Sequence, residues 1–329
     1  MSTDVLSDVL RGIRLTGAVY FDFEMSSPWV AEAPPSRDIA AMVMPGAQRV
    51  IEYHLLARGS CWAHVVGGEP TRLGEGDLIV FPQGDAHVLS SEPGMRATPD
   101  LSMFVRRPTP LPMIYEIGGG GPDRARLVCC FLGCDERPFN PLLTALPRVI
   151  HLSAQGDQAS TGWLATMMTI ALGESGSSRA GSENVLARLA ELMFVETIRR
   201  HIETLPAAQN GWLAGLRDPL VGQALAALHA EPAASWTVER LAHLVGVSRS
   251  VLAERFTAMA GHPPMQYLSL WRMQLAARLL VDGGHVAEVA DAVGYESEAA
   301  FSRAFKKLVG QAPAAWRRAG AAKPDAAAP

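Results

Sequence analysis

The stretch that decides the fold of the C-terminal part is LAHLVGVS at residues 241–248, because the chain repeats it as VADAVGYES at residues 289–297. The copies align at an offset of about 48 before the turn and about 49 after it, since the second turn holds one extra residue. Each copy has a glycine that can adopt the left-handed conformation ending a helix, and a serine that can cap the next helix. These residues are Gly246 and Ser248, then Gly294 and Ser297. Each copy therefore predicts a helix-turn-helix motif.

The second helix of each motif carries two apolar residues four positions apart, which places both on one face. The pairs are Leu252 with Phe256 and Phe301 with Phe305. Between the motifs, the helical period from Pro264 to about Val281 predicts a linking helix, which would span roughly 27 Å at 1.5 Å per residue. That length approaches the ~34 Å between successive major-groove faces of B-DNA. One chain is therefore expected to place both second helices in adjacent major-groove segments.

Three segments of this region resemble AraC-type transcription regulators. They are WTVERLA at 236–242, PMQYLSLWRMQLA at 264–276 and VGYESEAAFSRAFK at 293–306. The resemblance implies sequence-specific binding to double-stranded promoter DNA, with RNA polymerase as a further partner. Activation and repression of transcription both stay open as the outcome.

The inward apolar pairs leave other positions of the two second helices facing outward. The expected DNA-contacting residues are Arg249, Ser250, Ala253 and Glu254 on the first helix, and Glu298, Ala299, Ser302 and Arg303 on the second. The resemblance places base contacts at the same positions. Arg303 is expected to pair with guanine and Glu254 to accept from cytosine, whereas Arg249 is expected to contact phosphate. A purely solvated helix face is the alternative for each.

The N-terminal half has short runs rich in Val, Ile, Tyr and Phe between Gly17 and about Val149, separated by Gly, Pro and Asp. These runs predict an all-β barrel or sandwich. The stretch GDLIVFPQGDAH at 76–87 resembles the second cupin motif. Together the resemblances indicate a multidomain α and β regulator with a cupin-like β-barrel sensor. The expected domains are a cupin-like barrel at 1–155, a helical dimerisation segment and linker at 156–211, an all-α double helix-turn-helix domain at 212–318 and a disordered tail at 319–329.

Cupin enzymes hold a metal with a His-x-His, a later Glu and a His of the second motif. Only His87 matches this pattern plainly, and the sequence contains no His-x-His. We therefore predict no enzyme activity, no cofactor and no metal, with a cupin-type metal-dependent enzyme as the alternative function. The residues expected to sense a small molecule or an oxidant are His54, Cys61, Trp62, His64 and His87. An unorthodox metal site of the three histidines with Cys61, or plain packing inside the barrel, are the alternatives.

The chain has four cysteines, too few and too clustered for a disulfide framework, which favours a reducing cytoplasm. Cys129 and Cys130 are sequential in a predicted strand, so their side chains are expected on opposite faces. A redox role for these residues, Cys61 or Cys134 and a role as small buried apolar side chains both remain open.

Several helices are predicted outside the motifs. The acidic start at residues 1–4 predicts a short capped helix through Ile13, and another helix should span Trp163 to Leu172. A long helix from Ser182 to about Leu205 has a wide apolar face, one side of which is expected on the barrel and another on a second subunit. This predicts a homodimer, with packing inside a monomer as the alternative. A linker is expected at Pro206 to Gly211 and disorder from Ala319 to Pro329.

Charge and hydropathy patterning limit the partners. The 329-residue chain carries a net charge of −4, but from Trp212 onward it has 12 basic and 10 acidic residues, against 17 and 23 before that point. So small a basic surplus predicts few phosphate contacts and dependence on dimerisation for DNA affinity. The chain contains no apolar run near the ~18 residues that a membrane span needs, and its acidic start predicts no signal peptide.

Overall fold

The computed structural model describes residues 4–105, 111–154, 166–167, 169–174, 179–206 and 209–321. Contacts divide the chain into two compact units. The sheet unit comprises Leu15–Cys134 and Leu146–Thr204, and the helical unit comprises Met1–Arg14, Asp135–Ala145 and Leu205–Pro329. Part of the predicted helix at Trp163–Leu172, part of the linker and most of the tail lie outside the described residues, and the described residues of that helix, 166–167 and 169–172, are helical as predicted. The domain boundaries predicted from the sequence stay predictions.

The sheet unit contains two β-sheets. The described strands are β1 Thr16–Ser26, β2 Val30–Ala33, β3 Arg49–Arg58, β4 Cys61–Val65, β5 Thr71–Leu73, β6 Leu78–Phe81, β7 His87–Ser90, β8 Met113–Gly118, β9 Arg124–Cys134 and β10 Ile150–Leu152. The first sheet has six strands in the order β10-β6-β3-β9-β1-β8, and the second has four in the order β2-β7-β4-β5. Neighbouring strands pair antiparallel except β1 with β8.

The two sheets share one apolar core. Alternate residues of β3, such as Val50 and Leu56, are buried in the same cluster as Cys61 and Ala63 of β4 in the other sheet. Since side chains alternate between the faces of a strand, one face of each sheet is turned toward this core. The predicted sheet-rich, cupin-like N-terminal domain is confirmed, whereas closure of the sheets into a barrel stays a prediction.

Helix α2, Ser36–Val43, and a 3₁₀ helix at Leu101–Phe104 belong to the sheet unit, as does a long helix at Ser182–Thr204. The long helix packs on β1 and β9, and its bounds agree with the prediction to within one residue. The Tyr53 hydroxyl donates to the Ala190 carbonyl at 2.9 Å. On the other side of the long helix, Val185 and Leu192 expose 43% and 47% of their surface.

The helical unit consists of short helices around the long linking helix. The long helix Ser182–Thr204 of the sheet unit is called α4. In chain order, the helical unit contains α1 Val5–Gly12, α3 Pro141–Ala145, α5 Trp212–Gly215, α6 Pro219–Ala230, α7 Val238–Leu244, α8 Arg249–Ala260, α9 Pro264–Val281, α10 Val286–Ala292, α11 Glu298–Val309 and α12 Pro313–Ala321. Helix α9 has the predicted bounds, and α1 is capped as predicted, by Asp4, whose carboxylate accepts from the Ser7 N–H at 3.1 Å. None of the helices described is long and apolar enough to cross a membrane.

Both helix-turn-helix turns have the predicted local chemistry. Gly246 and Gly294 have φ angles of 73° and 77°, which is the left-handed region. The Ala300 N–H donates to the Ser297 hydroxyl at 3.2 Å, and the Val251 N–H donates to the Ser248 hydroxyl at 3.4 Å. The two predicted inward pairs of α8 and α11 are fully buried. The helix-turn-helix predictions are therefore confirmed in detail.

The N-terminal residues lie with the C-terminal helices in one unit. The Gln274 side chain of α9 donates to the Gly12 carbonyl at 2.9 Å and accepts from the Phe139 N–H at 3.0 Å. Arg14 forms an ion pair with Asp135 at 2.7 Å. One buried amide of the linking helix thus holds two segments that are distant from it in sequence.

Candidate nucleic-acid interface and buried polar cluster

The outward face of α8 carries the first group of predicted DNA contacts. Arg249, Ser250 and Glu254 are exposed, and Ala253 is half-buried. The Arg249 guanidinium donates to the Glu239 carboxylate of α7 and forms an ion pair with it. This arginine is thus engaged within the first motif before any nucleic acid is present.

The outward face of α11 carries the second group. Glu298, Ala299 and Arg303 are exposed, and Ser302 is half-buried. Within the part of the chain that the structure describes, Arg303 forms no ion pair. Further basic charge stands in the last turn of this helix, where Lys306 and Lys307 are exposed.

The placement of the first motif depends on a carboxylate that the sequence analysis did not single out. Asp218 caps α6 by accepting from the Val221 N–H at 2.9 Å, and it forms an ion pair with Arg255 of α8 at 2.6 Å. Burial by itself raises the pKa of Asp218, but hydrogen bonds from Arg255 and two backbone N–H groups outweigh it and lower the pKa.

An arginine on the linking helix holds the loop that precedes the first motif. The Arg272 guanidinium donates to the Pro232 carbonyl at 2.6 Å and to the Ala234 carbonyl at 2.9 Å. The same loop approaches the second turn so closely that a Cβ on Gly294 would lie 2.4 Å from the Ala233 carbonyl oxygen. The sequence signal for this contact is a charged residue between the apolar Trp271 and Met273, which the sequence analysis left unused.

A second candidate site lies between the two sheets. The polar cluster consists of Glu52, His54, His87 and Cys129, all of them buried. The ligand atoms of the first three lie within 4.8 Å of one another. The two Nε2 atoms of His54 and His87 are 2.7 Å apart, and His54 Nδ1 lies 2.9 Å from the Cys129 sulfur.

The backbone explains why these four side chains meet. Glu52 and His54 are alternate residues of β3 and therefore share its inner face. Cys129 of β9 is the register partner of His54, and His87 begins β7 in the other sheet. Sequence reasoning found His54 and His87 but missed Glu52, although its spacing of two residues from His54 was a usable signal.

Burial shifts the pKa of every titratable group in the polar cluster. It lowers the pKa of His87 to about 4 and that of His54 well below its usual range, so both rings are neutral at neutral pH. It raises the pKa of Glu52 to about 8, although the Ser36 hydroxyl donates to this carboxyl at 2.6 Å and opposes the shift. It also raises the pKa of the Cys129 thiol well above its usual range.

The other sensor candidates lie on β4. Cys61 faces the shared apolar core, and burial raises the pKa of its thiol to about 12. Trp62 and His64 lie on the opposite face of the strand, where His64 interacts electrostatically with Arg96 and Glu32. The structure thus brings only two of the five predicted sensor residues into the polar cluster, and a sensing role for the rest stays a prediction.

All four cysteines are buried, and none of them forms a disulfide bond. Cys129 faces the core between the sheets, whereas Cys130 faces the other side of β9, where it interacts with the Tyr53 hydroxyl. The predicted opposite orientation of these two neighbours is confirmed. Burial raises the pKa of Cys130 to about 12. Thiols in this state are poor nucleophiles at neutral pH.

Comparison with known families matches both parts of the chain. A family model described as Cupin matches residues 4–203, and one described as Helix-turn-helix domain matches residues 241–319. A putative AraC-like transcription regulator of Streptomyces lividans is 36% identical over 282 residues, covering 83% of this chain and 88% of the relative.

Two further matches are a transcriptional regulator and a DNA-binding domain. The HTH-type transcriptional regulator AlkR of Acinetobacter baylyi is 28% identical over 316 residues, covering 96% of this chain and 99% of the relative. The DNA-binding domain of AdpA, a global transcriptional factor, has a crystal structure in complex with a target DNA. Its sequence is 32% identical to this chain, the match covers 33% of this chain and 99% of that domain, and the TM-score is 0.32.

Proposed function

Because this chain belongs to the AraC-like transcription regulators and carries a cupin domain, we propose that its sheet unit senses an effector and thereby controls promoter binding by its helical unit. The observation that carries the proposal is the pairing of two helix-turn-helix motifs with a buried polar cluster in the other unit. The first supplies a way to read DNA, and the second supplies a place for a signal to act.

DNA reading is assigned to the outward faces of α8 and α11, the helices that carry the eight predicted contact residues. Arg303 is exposed and forms no ion pair with any residue that the structure describes, and a guanidinium can pair bidentately with guanine in the major groove. Arg249 stands at the N-terminus of α8, where a phosphate is favoured, but it must first leave Glu239. The second motif is therefore proposed as the main base reader.

Sensing rather than catalysis is proposed for the sheet unit. The side chains of Glu52, His54 and His87 are only 1%, 4% and 0% exposed, so a substrate of ordinary size has no direct approach to them. The relatives are transcription regulators, which favours this reading over the cupin-enzyme alternative. The high thiol pKa values favour a small bound effector over an oxidant.

The remaining partners follow from the same proposal. A homodimer is proposed through the exposed side of α4, where Val185 and Leu192 lie two helical turns apart. RNA polymerase is the proposed partner at the promoter, activation is the proposed outcome, and the cytoplasm is the proposed location. Sedimentation of Leu192→Glu tests the dimer, with Leu279→Glu on the helical unit as the matched control. A Leu192→Glu protein that sediments like the wild type contradicts this interface.

Selection of duplexes from a random DNA library by the purified full-length chain tests the DNA-binding part. We expect one enriched sequence with two contacted segments about 10–10.5 bp apart, one for each motif. A fragment of residues 212–318 is expected to bind the same sequence more weakly, because it lacks a dimer partner and the α1 contact with Gln274. Selection that enriches no sequence contradicts the proposal.

A further inference from the structure

Loop 231–236, which leads into α7 of the first motif, also lies against the turn of the second motif. A Cβ on Gly294 would lie 2.4 Å from the Ala233 carbonyl oxygen and 2.7 Å from the Ala233 Cα, so the two backbones meet with no side chain between them. Position 294 therefore needs glycine for space as well as for its φ angle of 77°. Besides helix α9, this loop is a further connection between the motifs.

Arg272 of α9 fastens the loop in this place. Its guanidinium donates to the Pro232 carbonyl at 2.6 Å and to the Ala234 carbonyl at 2.9 Å. Its third nitrogen lies 3.5 Å from the Gly294 carbonyl oxygen, and the guanidinium carbon lies 5.9 Å from the centre of the Tyr295 ring. One side chain thus contacts both the loop and the turn against which the loop packs.

The surroundings of Arg272 strengthen these hydrogen bonds. The side chain is half-buried, and burial lowers the pKa of its guanidinium from the usual value. The group still carries its charge at neutral pH, because arginine keeps its proton in proteins. A charged donor that is partly removed from water binds carbonyl oxygens more strongly than an exposed one does. Loss of the guanidinium should therefore loosen the loop.

The other end of the loop is fixed to the first motif. The Trp236 indole N–H donates to the Glu231 carbonyl at 2.9 Å, and the Arg240 guanidinium of α7 lies 4.2 Å from the centre of the Trp236 ring. The Thr237 hydroxyl accepts from the Arg240 backbone N–H at 3.1 Å and caps α7. Because the loop is closed on itself and continuous with a capped helix, a displacement of the loop carries α7 with it.

Helix α9 is joined to each motif through a short loop, and loop residues can act as hinges because they absorb changes of φ and ψ. A connection outside the helix removes that freedom. We propose that Arg272 and loop 231–236, together called the strut, fix the rotation between α8 and α11 and thereby select DNA by the spacing of its two contacted segments. This inference rests on the proposed DNA reading by α8 and α11, and Arg272 acts in it as a positioning residue.

The geometry of DNA makes a fixed rotation selective. One inserted base pair moves the two contacted segments apart by roughly 3.4 Å and turns one against the other by roughly 35° about the duplex axis. Motifs held by the strut cannot follow this change, so one of them must release its segment. Motifs joined through α9 alone can follow it in part. Spacing is thus read without any contact to the bases between the segments.

Shift assays with the full-length protein test the strut. The probes are the duplex that the wild type selects and versions of it with one base pair inserted or deleted between the contacted segments. We expect the wild type to bind the selected duplex about 10-fold or more tightly than either altered one. Arg272→Met keeps the apolar stem and removes the donors. It should lower this affinity ratio by about 5- to 10-fold, because an orientation that is populated only part of the time lowers affinity in proportion.

The affinity ratio separates positioning from stability and charge. A smaller folded fraction, or the loss of one positive charge, weakens binding to every probe alike and leaves the ratio unchanged. Arg272→Lys keeps the charge but has a single donor nitrogen, so it should lower the ratio as well and serves if Arg272→Met does not fold. Arg278→Met is the matched control. It removes another arginine of α9, one that donates to the Arg11 carbonyl, and it should keep the wild-type ratio.

The outcomes separate this inference from the proposed function. A wild-type ratio in Arg272→Met, or in Arg272→Lys where the first variant does not fold, overturns the strut. An equal fall of the ratio in Arg278→Met overturns it too. A wild type that selects a sequence but binds all three spacings alike overturns the spacing inference and leaves DNA reading intact. A wild type that selects no sequence contradicts the proposed function and the inference with it.

Discussion

The two helix-turn-helix motifs share a backbone plan but differ in what their arginines contact. In the first motif, Arg249 is paired with Glu239 and Arg255 with Asp218. In the second, Arg303 is exposed, and the position aligned with Arg255 is Ala304. The first motif thus uses its arginines for internal contacts, whereas the second leaves its arginine available to DNA. Two copies of one fold can therefore divide anchoring from base reading.

The cores of the two motifs are closely similar. Phe256 packs edge-on against Tyr267, with ring centroids 5.6 Å apart, and Phe305 packs against Phe301 and Trp316 at 5.5 and 6.1 Å. Each of these phenylalanines is fully buried. The difference between the motifs therefore lies in their surfaces, and substitutions can separate the two properties.

The largest expected effect comes from the cores. Phe256→Ala and Phe305→Ala should each lower the free energy of unfolding by about 3–5 kcal/mol, because each removes a fully buried aromatic side chain and leaves a cavity. Leu308→Ala on the exposed side of α11 is the control and should stay within about 0.5 kcal/mol. Urea unfolding of the three variants measures this. Clearly unequal losses for the two phenylalanines would show that the motifs differ in their cores as well.

The next effect concerns base reading. Arg303→Ala should weaken binding to the selected DNA by roughly 1–3 kcal/mol and relax the preference at one base pair. Arg249→Ala should cost less and weaken all sequences alike, because this arginine already has a carboxylate partner. Shift assays with single-base-pair variants of the selected sequence measure both. If Arg303→Ala kept the wild-type ranking of those variants, the second motif would not read sequence through this residue.

A smaller effect tests the anchor of the first motif. Asp218→Ala should destabilise the protein by about 1 kcal/mol through loss of the α6 cap, whereas Asp218→Asn keeps a capping oxygen and should cost less. The folded pKa of Asp218 is lowered, so its charge-dependent contribution is present above the unfolded value near 3.8 and is lost as pH falls through the folded pKa. Thermal unfolding at pH 7 and pH 3 should show the wild type and Asp218→Asn converging at the lower pH.

The smallest effect sharpens the division between the motifs. Glu239→Gln should release Arg249 to a phosphate, raise DNA affinity modestly and steepen the slope of log affinity against log salt by about 0.9. The same substitution at the exposed Glu288 of α10, which is not a predicted DNA contact and forms no ion pair in the described part of the chain, serves as the control. Binding at several salt concentrations measures the slope. An unchanged slope in Glu239→Gln would mean that Arg249 contacts no phosphate even when free.

Local sequence determined the helical motifs because their signals lie within a few residues. Each signal acts inside one turn or one helix: the glycine that adopts a left-handed conformation, the serine two or three positions later and the apolar residues four positions apart. The bounds of α9 and the orientations of Cys129 and Cys130 follow from helical and strand periods in the same way. For these elements the structure adds distances to what the pattern already predicts.

Only the tertiary structure decided which distant residues meet. The polar cluster joins residues from three strands in two sheets, and no period within one strand specifies that His87 will face His54. The contact of Gln274 with Gly12 and Phe139 likewise joins three segments that are more than 120 positions apart in sequence. Such pairings depend on strand order and on packing of the whole chain, and a linear pattern carries that information only weakly. The sequence by itself therefore determined the helix-turn-helix motifs, and the tertiary structure decided which buried polar residues meet between the sheets.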